Sequence, residues 1–132
     1  MIYVTCAIIV KDNKILATRR ARGFHLEGYW EFPGGKIESG ESAENCIIRE
    51  IFEELNVVIE IVKPLIPVEH HYPEKSIRLI PFLSKITFGS IRLTDHSEFR
   101  WVDRQGVETL NWAAADREII LKNKANWQQW FV

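Results

Sequence analysis

The sequence predicts an α/β sandwich, a domain in which helices cover a mixed central β-sheet. Three observations support this prediction. Short apolar and β-branched segments, typical of strands, are interleaved with segments of helical periodicity. These segments follow one another in mixed order, which indicates a mixed sheet. The chain has 132 residues, a length that suits one hydrophobic core rather than two.

The N-terminal part of the chain begins with a predicted β-hairpin. Residues 3–10 and 15–19 form two predicted strands with a polar turn between them. Residues 21–28 carry two glycines and mixed polarity, which indicates an exposed loop. A short extended piece at residues 30–32 leads into Pro33-Gly34-Gly35, where the backbone must turn tightly or approach another group closely.

A long helix is predicted from Ser42 to Asn56. Ser42 can cap its N-terminus, and Asn56 tolerates the left-handed conformation that commonly ends a helix. Between them, apolar residues recur at helical spacing and fall within an arc of roughly 140° on a helical wheel. This stripe, expected to face the core, consists of Ile47, Ile48, Ile51, Phe52 and Leu55.

The rest of the chain is predicted to supply further strands and a closing helix. Pro81 interrupts the longest of these strands, which predicts an edge position or a bulge because proline cannot donate to the ladder. Residues 89–95 are expected to form a turn and a short strand. The main strands are predicted at residues 57–62, 68–72, 77–88 and 99–102, and the helix at residues 113–124.

The composition disfavours several classes of protein. Apolar residues make up 46% of the chain and charged residues 27%, the balance of a folded domain rather than a disordered chain. The formal net charge is −1, so the field of the whole molecule does not attract polyanions. A nucleic-acid polymer is therefore disfavoured as the main ligand, whereas a small phosphorylated ligand held by local charges is not.

The cysteines and the N-terminus predict a cytoplasmic protein. Cys6 and Cys46 form no CxxC pair, and their apolar or helical surroundings favour buried free thiols over a disulfide. The apolar run at residues 2–10 is too short to span a membrane and has no basic region before it. No membrane partner is expected.

Glu50, Glu53 and Glu54 lie within a sector of roughly 100° on the side of the helix opposite the apolar stripe. Like charges at these spacings repel one another. Taken alone, the commoner interpretation is a solvated helix face. The alternative is a site for a hard divalent cation, because magnesium takes a few carboxylate oxygens and leaves positions open for phosphate oxygens.

The segment Gly34-Gly35-Lys36 favours the cation site. It combines a backbone open to close approach with a positive charge just before the helix. It is not a P-loop, since no glycine lies five residues before Gly35 and no Ser or Thr follows Lys36.

The pattern around this helix resembles the Nudix box. Five residues separate Gly35 from Glu41, and seven separate Glu41 from Arg49-Glu50. The pattern, which spans residues 35–57, is completed by Ile51, Glu53-Glu54 and Val57. The family has Gly where this chain has Asn56, the next most tolerant residue for a positive φ angle.

The resemblance extends to the MutT-like and CTP pyrophosphohydrolase-like branch of the family, through residues 18–20, 30–38 and 110–116. It implies a Nudix-type α/β/α sandwich with a mixed central sheet, as a single domain over residues 1–132. It also implies an enzyme that uses water to cut a nucleoside triphosphate into a nucleoside monophosphate and pyrophosphate.

The resemblance further implies bound magnesium, or manganese, and a set of catalytic groups. The metal ligands would be the carbonyl of Gly34 and the side chains of Glu50, Glu53 and Glu54. Glu50 and Glu53 are also implied as catalytic, together with an acid from a later loop. Asp95 matches that acid by spacing, and Glu98 is the rival. A structural role is implied for Gly35, and for Glu41 and Arg49 through a salt bridge from the box loop to the helix.

Substrate contacts are implied for both ends of a nucleotide. Arg20 and Lys36 would contact the phosphates, Arg20 more strongly because its planar fork matches phosphate oxygens. Phe32 resembles the residue that packs on the base. His25 and Lys75 fall where this branch contacts the nucleotide, although an exposed loop position is the plain alternative for His25.

Asp116 occupies the position that reads the base in this branch. A carboxylate accepts hydrogen bonds and an exocyclic amino group donates them. The amino group of cytosine fits directly, and so do the N7 hydrogen and N2 amino group of 8-oxoguanine. The alternative is that Asp116 caps the last helix.

Three functions follow from these expectations. The first is a pyrophosphohydrolase that clears modified or oxidised nucleotides such as 8-oxo-dGTP, or cytosine nucleotides such as CTP and 5-methyl-dCTP. The second is a related enzyme for another nucleoside diphosphate derivative. The third is a nucleotide-binding module without catalysis, which is disfavoured because the three glutamates of the box helix are all present. A small nucleotide is the expected partner, and the sequence leaves both a monomer and a homodimer open.

Overall fold

A β-hairpin opens the fold, as predicted, in a computed structural model that describes residues 1–24 and 26–131. Strands β1 (Ile2–Lys11) and β2 (Lys14–Arg20) pair antiparallel. The turn residues Asp12 and Asn13 have φ angles of 50° and 69°. Two successive positive φ angles give a twist that matches the flanking strands, and Asp and Asn adopt them more readily than other side chains.

Within the described ranges, six more strands and four α-helices follow this hairpin. The strands are β3 (Trp30–Glu31), β4 (Gly34–Lys36), β5 (Val58–Pro64), β6 (Val68–Tyr72), β7 (Lys75–Phe88) and β8 (His96–Val102). The helices are α1 (Ala43–Leu55), α2 (Arg104–Thr109), α3 (Ala114–Lys122) and α4 (Trp127–Trp130), with a 3₁₀ turn at Lys124–Asn126.

The sheet is mixed, as predicted. β1 and β7 run parallel, with Ile2 opposite Ile77 and Ile9 opposite Ser84, whereas the other strand pairs run antiparallel. β1 and β2 pair only beside the hairpin turn, at residues 10–11 and 14–15. The sheet therefore divides into two wings, one formed by β4, β1, β7, β5 and β6 and the other by β3, β2 and β8.

Helices cover both faces of the sheet, which confirms the α/β sandwich. On one face, Ile47, Ile51 and Leu55 of α1 pack in a core that includes Ile9 of β1 and Leu16 of β2. A second core on the other face joins α3 and α4 to the sheet. It includes Ile8, Ile15, Ile119, Trp127 and Trp130.

The predicted apolar stripe of α1 is too wide. Ile48 and Phe52 are 36% and 55% exposed, and Cys46 is buried instead. The reason lies on the neighbouring helix face, where Glu50 and Glu54 turn inward against β4. Because the helix is rotated to bring these carboxylates to the sheet, the far edge of the apolar arc faces water.

Pro81 was wrongly assigned to an edge or a bulge, since it lies in β7 at the centre of the sheet, opposite Cys6 of β1. On the other side of β7, pairing changes from β5 to β6 near this residue, with Phe82 opposite Pro64 and Leu79 opposite Val68. The Pro81 carbonyl faces this gap and accepts from Leu65 N at 3.0 Å. The N and the carbonyl of one strand residue point to the same side of the strand. The N–H that Pro81 lacks would therefore point into the gap between β5 and β6, where no strand is paired with it.

The other differences concern short elements. Residues 89–95 form a loop without the predicted strand, and β8 begins at His96 rather than at residue 99. Helices α2 and α4 were not predicted, because elements of six and four residues are too short to display helical periodicity. Both cysteines are buried and free, as predicted. None of the described helices has the length and apolar character needed to cross a membrane.

Candidate active site

Helix α1 has the ends that the sequence predicts. The Ser42 hydroxyl accepts from Asn45 N at 3.0 Å, which satisfies one free amide of the first turn. At the other end, Asn56 adopts a left-handed conformation with φ 61° and donates its N–H to the Phe52 carbonyl at 3.0 Å. These two caps fix where the helix begins and ends.

Two adjacent glycines of β4 allow α1 to approach the sheet closely. A Cβ atom on Gly34 would overlap the Thr5 carbonyl and lie 2.7 Å from Cys6 Cα, both backbone atoms of β1. A Cβ atom on Gly35 would overlap the Glu50 carboxylate. In addition, Glu54 Oε1 accepts from Gly34 N at 3.1 Å. The carboxylates of the helix are therefore held against the Gly34-Gly35 backbone.

Arg49 connects the loop before α1 to the glutamates on the helix. Its Nε and Nη2 donate to the two carboxylate oxygens of Glu41, at 2.6 and 2.9 Å. Its Nη1 donates to Glu50 at 2.8 Å and to Glu53 at 3.3 Å. The hydrogen bonds from Arg49 lower the pKa of Glu41 to about 2. This network includes the salt bridge expected between Glu41 and Arg49.

The donor set of α1 suits a hard divalent cation. Burial, followed by the charges of Glu31 and Glu50, raises the pKa of Glu54 to about 8. A bound cation would offset this repulsion, and carboxylate oxygens are the ligands that magnesium prefers. Glu53 is turned outward to Arg49 with its side chain 56% exposed. In the part of the chain that the structure describes, no three acidic, His or Cys side chains converge on one point.

The raised pKa of Glu54 gives the metal-free protein a pH dependence. In the folded protein the carboxyl group of Glu54 has a pKa of about 8, whereas in the unfolded chain its pKa is near 4.5. Ionisation of Glu54 therefore favours the unfolded state. Stability should therefore fall as the pH rises from about 5 to about 9. Glu54→Gln should be more stable than the parent by about 2–4 kcal/mol at the upper pH and no more stable at the lower.

Urea unfolding with a chelator at both pH values measures this difference. Glu53→Gln removes an exposed carboxylate from the same helix and is the control. A difference between Glu54→Gln and the parent that is the same at both pH values would contradict the expectation.

The structure brings Asp95, and not Glu98, to the helix carboxylates. The loop before β8 is held at the end of α1, where Thr94 N donates to the Glu54 carbonyl at 3.3 Å. The charge of Asp95 also contributes to the raised pKa of Glu54. Glu98 instead forms an exposed ion pair with Arg19 at 3.0 Å. Asp95 therefore stays the predicted later-loop acid, while Glu98 is engaged in an ion pair.

A cleft of about 210 Å³ lies beside the Gly34-Gly35 backbone. Five of the residues predicted to bind substrate line it, namely Arg20, Phe32, Lys36, Lys75 and Asp116. His25, the sixth, lies outside the described residues. The sequence thus identifies a set of side chains from β2, β4, β7 and α3 that the fold collects around one cavity.

Phe32 and Asp116 form one end of this cleft. Phe32 packs on Trp112 with ring centroids 4.7 Å apart, and its backbone N donates to Asp116 Oδ1 at 2.9 Å. Asp116 does not occupy the capping position, since the N-cap of α3 is Ala113. Burial, and then the charge of Glu31, raises the pKa of Asp116 above its ordinary value.

The sequence did not indicate Glu31 and His96 as site residues. Glu31 lines the cleft, and its Oε2 accepts from Arg20 Nη1 at 3.1 Å and from His96 Nε2 at 2.8 Å. Tyr72 and Trp112, which also border this region, were missed as well. One local signal was available, a single acidic residue between Trp30 and Phe32 in an extended segment that leads to the glycines.

The mixed-sheet sandwich holds carboxylates of α1 against the backbone of a cleft that Arg20, Lys36 and Lys75 line, an arrangement suited to the hydrolysis of phosphoric anhydrides. The NUDIX domain family matches residues 4–122, and the chain belongs to the Nudix hydrolase family. Members of this family generally use a divalent metal ion and act on small nucleotides.

Several known proteins are similar to this chain. It is 30% identical to the 8-oxo-dGTP diphosphatase of Escherichia coli (strain K12), over 86% of this chain and 88% of that one. It is also 30% identical to the CTP pyrophosphohydrolase of the same strain, over 92% and 88%. Among solved structures, the MutT protein of methicillin-resistant Staphylococcus aureus 252 is 35% identical, with a TM-score of 0.75 and coverage of 95% and 96%.

Proposed function

We propose that this Nudix hydrolase is a magnesium-dependent nucleoside triphosphate pyrophosphohydrolase, releasing a nucleoside monophosphate and pyrophosphate. One observation carries the proposal. The cleft has cations and an aromatic–carboxylate pair in its lining, and the backbone along its wall is the same Gly34-Gly35 segment that contacts Glu50 and Glu54. Groups suited to phosphates and to a base thus line one cavity, and the carboxylates proposed to bind the metal are held against the backbone of its wall.

The proposed metal ligands are the Gly34 carbonyl and the carboxylates of Glu50, Glu53 and Glu54, with magnesium or manganese as the ion. The ion, when bound, supplies charge stabilisation for the phosphates and a lower pKa for a bound water. Arg49 holds Glu50 and Glu53 and links them to Glu41 in the preceding loop. In this proposal a single carboxylate, that of Glu50, Glu53 or Asp95, receives the proton of the attacking water.

The proposed phosphate contacts are Arg20, Lys36 and Lys75. All three line the cleft, and they provide the positive charge that a triphosphate needs locally in a protein of net charge −1. The guanidinium of Arg20 can bind two phosphate oxygens at once, which makes it the strongest of the three.

The proposed base contacts are Phe32 and Asp116. Phe32 N–H donates to Asp116 Oδ1, and an ionised carboxylate can accept further hydrogen bonds, here from a base amino group. Cytosine and guanine-type bases carry such a group. The names of the two similar enzymes, an 8-oxo-dGTP diphosphatase and a CTP pyrophosphohydrolase, fall in these two classes. We therefore propose 8-oxo-dGTP or a cytosine nucleotide such as CTP or 5-methyl-dCTP as substrate.

The proposed enzyme is a single domain over residues 1–132 and is cytoplasmic.

The competing functions are less well supported. Another nucleoside diphosphate derivative would use the same carboxylates and the same cleft, but two of the similar enzymes are named for nucleoside triphosphates, 8-oxo-dGTP and CTP. A binding module without catalysis would have no need of the carboxylates that α1 holds against β4.

Pyrophosphate release with magnesium, from a panel of CTP, 5-methyl-dCTP, 8-oxo-dGTP and dGTP, tests the proposal. We expect a nucleoside monophosphate and pyrophosphate in equal amounts, with at least one of the first three preferred over dGTP. Turnover of a nucleotide sugar with none of any triphosphate would favour the second function. Tight binding without turnover of any substrate would favour the third.

Asp116→Asn should change the base preference. The asparagine oxygen can keep the hydrogen bond from Phe32 N, but its amide then presents donors where the carboxylate presents an acceptor. A base amino group would meet a donor, at a cost of about 1–3 kcal/mol, or roughly 5–150-fold in kcat/KM. UTP and dITP, which lack the amino groups of CTP and dGTP, are the control substrates. Equal losses with and without the amino group would contradict a base-reading role.

A further inference from the structure

Glu31 is held between two side chains that come from different strands. Its Oε2 atom accepts from Arg20 Nη1 of β2 at 3.1 Å and from His96 Nε2 of β8 at 2.8 Å. The side chain of Glu31 is 18% exposed and that of His96 only 2%. Hydrogen bonds to a charged group are strong in such surroundings, so these contacts fix the geometry of the three side chains.

The backbone of the wing formed by β3, β2 and β8 brings Arg20, Glu31 and His96 together. Glu31 and Thr18 are opposite one another in β3 and β2, and the Thr18 hydroxyl also donates to the Glu31 carbonyl at 3.0 Å. The register between β2 and β8 shifts between Arg19 and Arg20. A bulge of this kind re-aims a side chain. Arg19 pairs with the exposed Glu98, whereas Arg20 turns to Glu31 at the cleft.

A carboxylate at this position is unfavourable for a phosphate-binding cleft. Glu31 lines the cleft, and its charge raises the pKa of both Glu54 and Asp116. The same charge repels the triphosphate that the cleft is proposed to bind. The benefit of Glu31 must therefore lie in what it does to its partners. A long arginine loses much rotamer freedom when it binds a ligand, and an anchored guanidinium has lost part of it in advance.

We propose that Glu31 is a positioning residue, which holds the guanidinium of Arg20 in place for the phosphates and is itself oriented by His96. The proposal rests on the proposed function, since it requires a phosphorylated ligand in the cleft. It assigns to Glu31 no contact with the reacting atoms.

The sign of the change in KM for Glu31→Gln separates this role from a purely electrostatic one. If Glu31 positions Arg20, KM for the triphosphate should rise about tenfold with kcat within about twofold, because one charge-assisted hydrogen bond to Arg20 is weakened. If Glu31 acts only through its charge, KM should fall, because the substitution removes a repulsion. A lower or unchanged KM therefore overturns the proposal.

A double-mutant cycle with Arg20→Ala tests whether Glu31 acts through Arg20. In the Arg20→Ala protein, Glu31→Gln should not raise KM further and should lower it modestly, because only the repulsion by Glu31 is then removed. A second tenfold rise would overturn the proposal. His96→Gln retains a donor for Glu31 and should stay near the parent KM, whereas His96→Leu removes the donor and should raise it severalfold. The same rise for both His96 variants would contradict the role of His96.

The matched control is Glu69→Gln, which neutralises the carboxylate of another cross-strand pair, with Arg78 at 3.1 Å on the exposed surface. It should leave KM and kcat unchanged.

Titration calorimetry with an α,β-methylene triphosphate analogue measures binding without turnover. If no triphosphate is hydrolysed but Glu31→Gln weakens analogue binding tenfold, the positioning role stands and the proposed reaction fails. If the parent is active and Glu31→Gln binds the analogue as tightly as the parent, the positioning role alone fails.

Discussion

Glu50→Gln and Glu53→Gln are each expected to lower kcat/KM for the preferred triphosphate by roughly a thousandfold, the scale of losing one charged catalytic group. Glutamine keeps the size of the side chain but provides a neutral oxygen, which is a poor ligand for a hard dication. Both side chains also share Arg49, so each substitution leaves that guanidinium partly unpaired. Pyrophosphate release over a magnesium titration measures the loss.

Two further measurements make this prediction specific. Glu44→Gln removes an exposed glutamate from the first turn of the same helix and should retain full activity. Binding of Mn²⁺, followed by electron paramagnetic resonance without nucleotide, should weaken in the Glu50 and Glu53 variants and not in the Glu44 variant. A Glu53→Gln protein with parental activity and parental Mn²⁺ binding would rule out Glu53 as a ligand.

Gly34→Ala should destabilise the fold by about 3 kcal/mol or more, and the protein is expected to accumulate poorly at 37 °C. The new Cβ atom would overlap the Thr5 carbonyl and lie 2.7 Å from Cys6 Cα. Both are backbone atoms of β1, the strand at the junction of the two wings, so no side-chain rotation can relieve the overlap. Chemical denaturation, followed by tryptophan fluorescence, measures the change in the free energy of unfolding.

Gly35→Ala, one residue further along β4, is the matched comparison. Its Cβ atom would meet the Glu50 carboxylate, the end of a side chain that can move. We expect a change of less than about 1 kcal/mol in stability, together with a loss of activity because Glu50 is displaced. If both variants unfold to the same extent, or if Gly34→Ala is as stable as the parent, the close packing of β4 on β1 is not what holds this region.

The helix that carries the glutamates could be predicted in detail because its signals are local. Ser42 caps it, Asn56 ends it, and both lie within a few residues of the groups they bind. The family pattern was equally accessible, since it depends on spacing within residues 35–57. The rotation of the helix about its own axis could not be predicted. The exposure of Phe52 follows from contacts of Glu50 and Glu54 with β4, which periodicity within the helix cannot reveal.

At the candidate site, too, local features could be predicted from the sequence and contacts between distant segments could not. Asp116 was identified by its place in a recognisable tail segment, and it lies at the cleft with Phe32. The contact between Glu31 and His96, by contrast, joins residues 65 positions apart and depends on how β2, β3 and β8 are aligned. Pairing of distant strands is not encoded in any short window of a single sequence. The different surroundings of Asp95 and Glu98 likewise depend on the tertiary position of the loop before β8.

The parallel pair of β1 and β7 has a consequence for the order of folding. Its partners are Ile2–Ile9 and Ile77–Ser84, so pairing begins between residues 75 positions apart (77 − 2). Closing so long a loop is slow compared with forming a helix or a hairpin, and it cannot begin on the ribosome until β7 has emerged. The hairpin of β1 and β2 and the helix α1 are local and can form earlier. The first strand to be synthesised is therefore among the last to complete its pairing. Until β7 has been synthesised, one edge of β1 stays open to other chains.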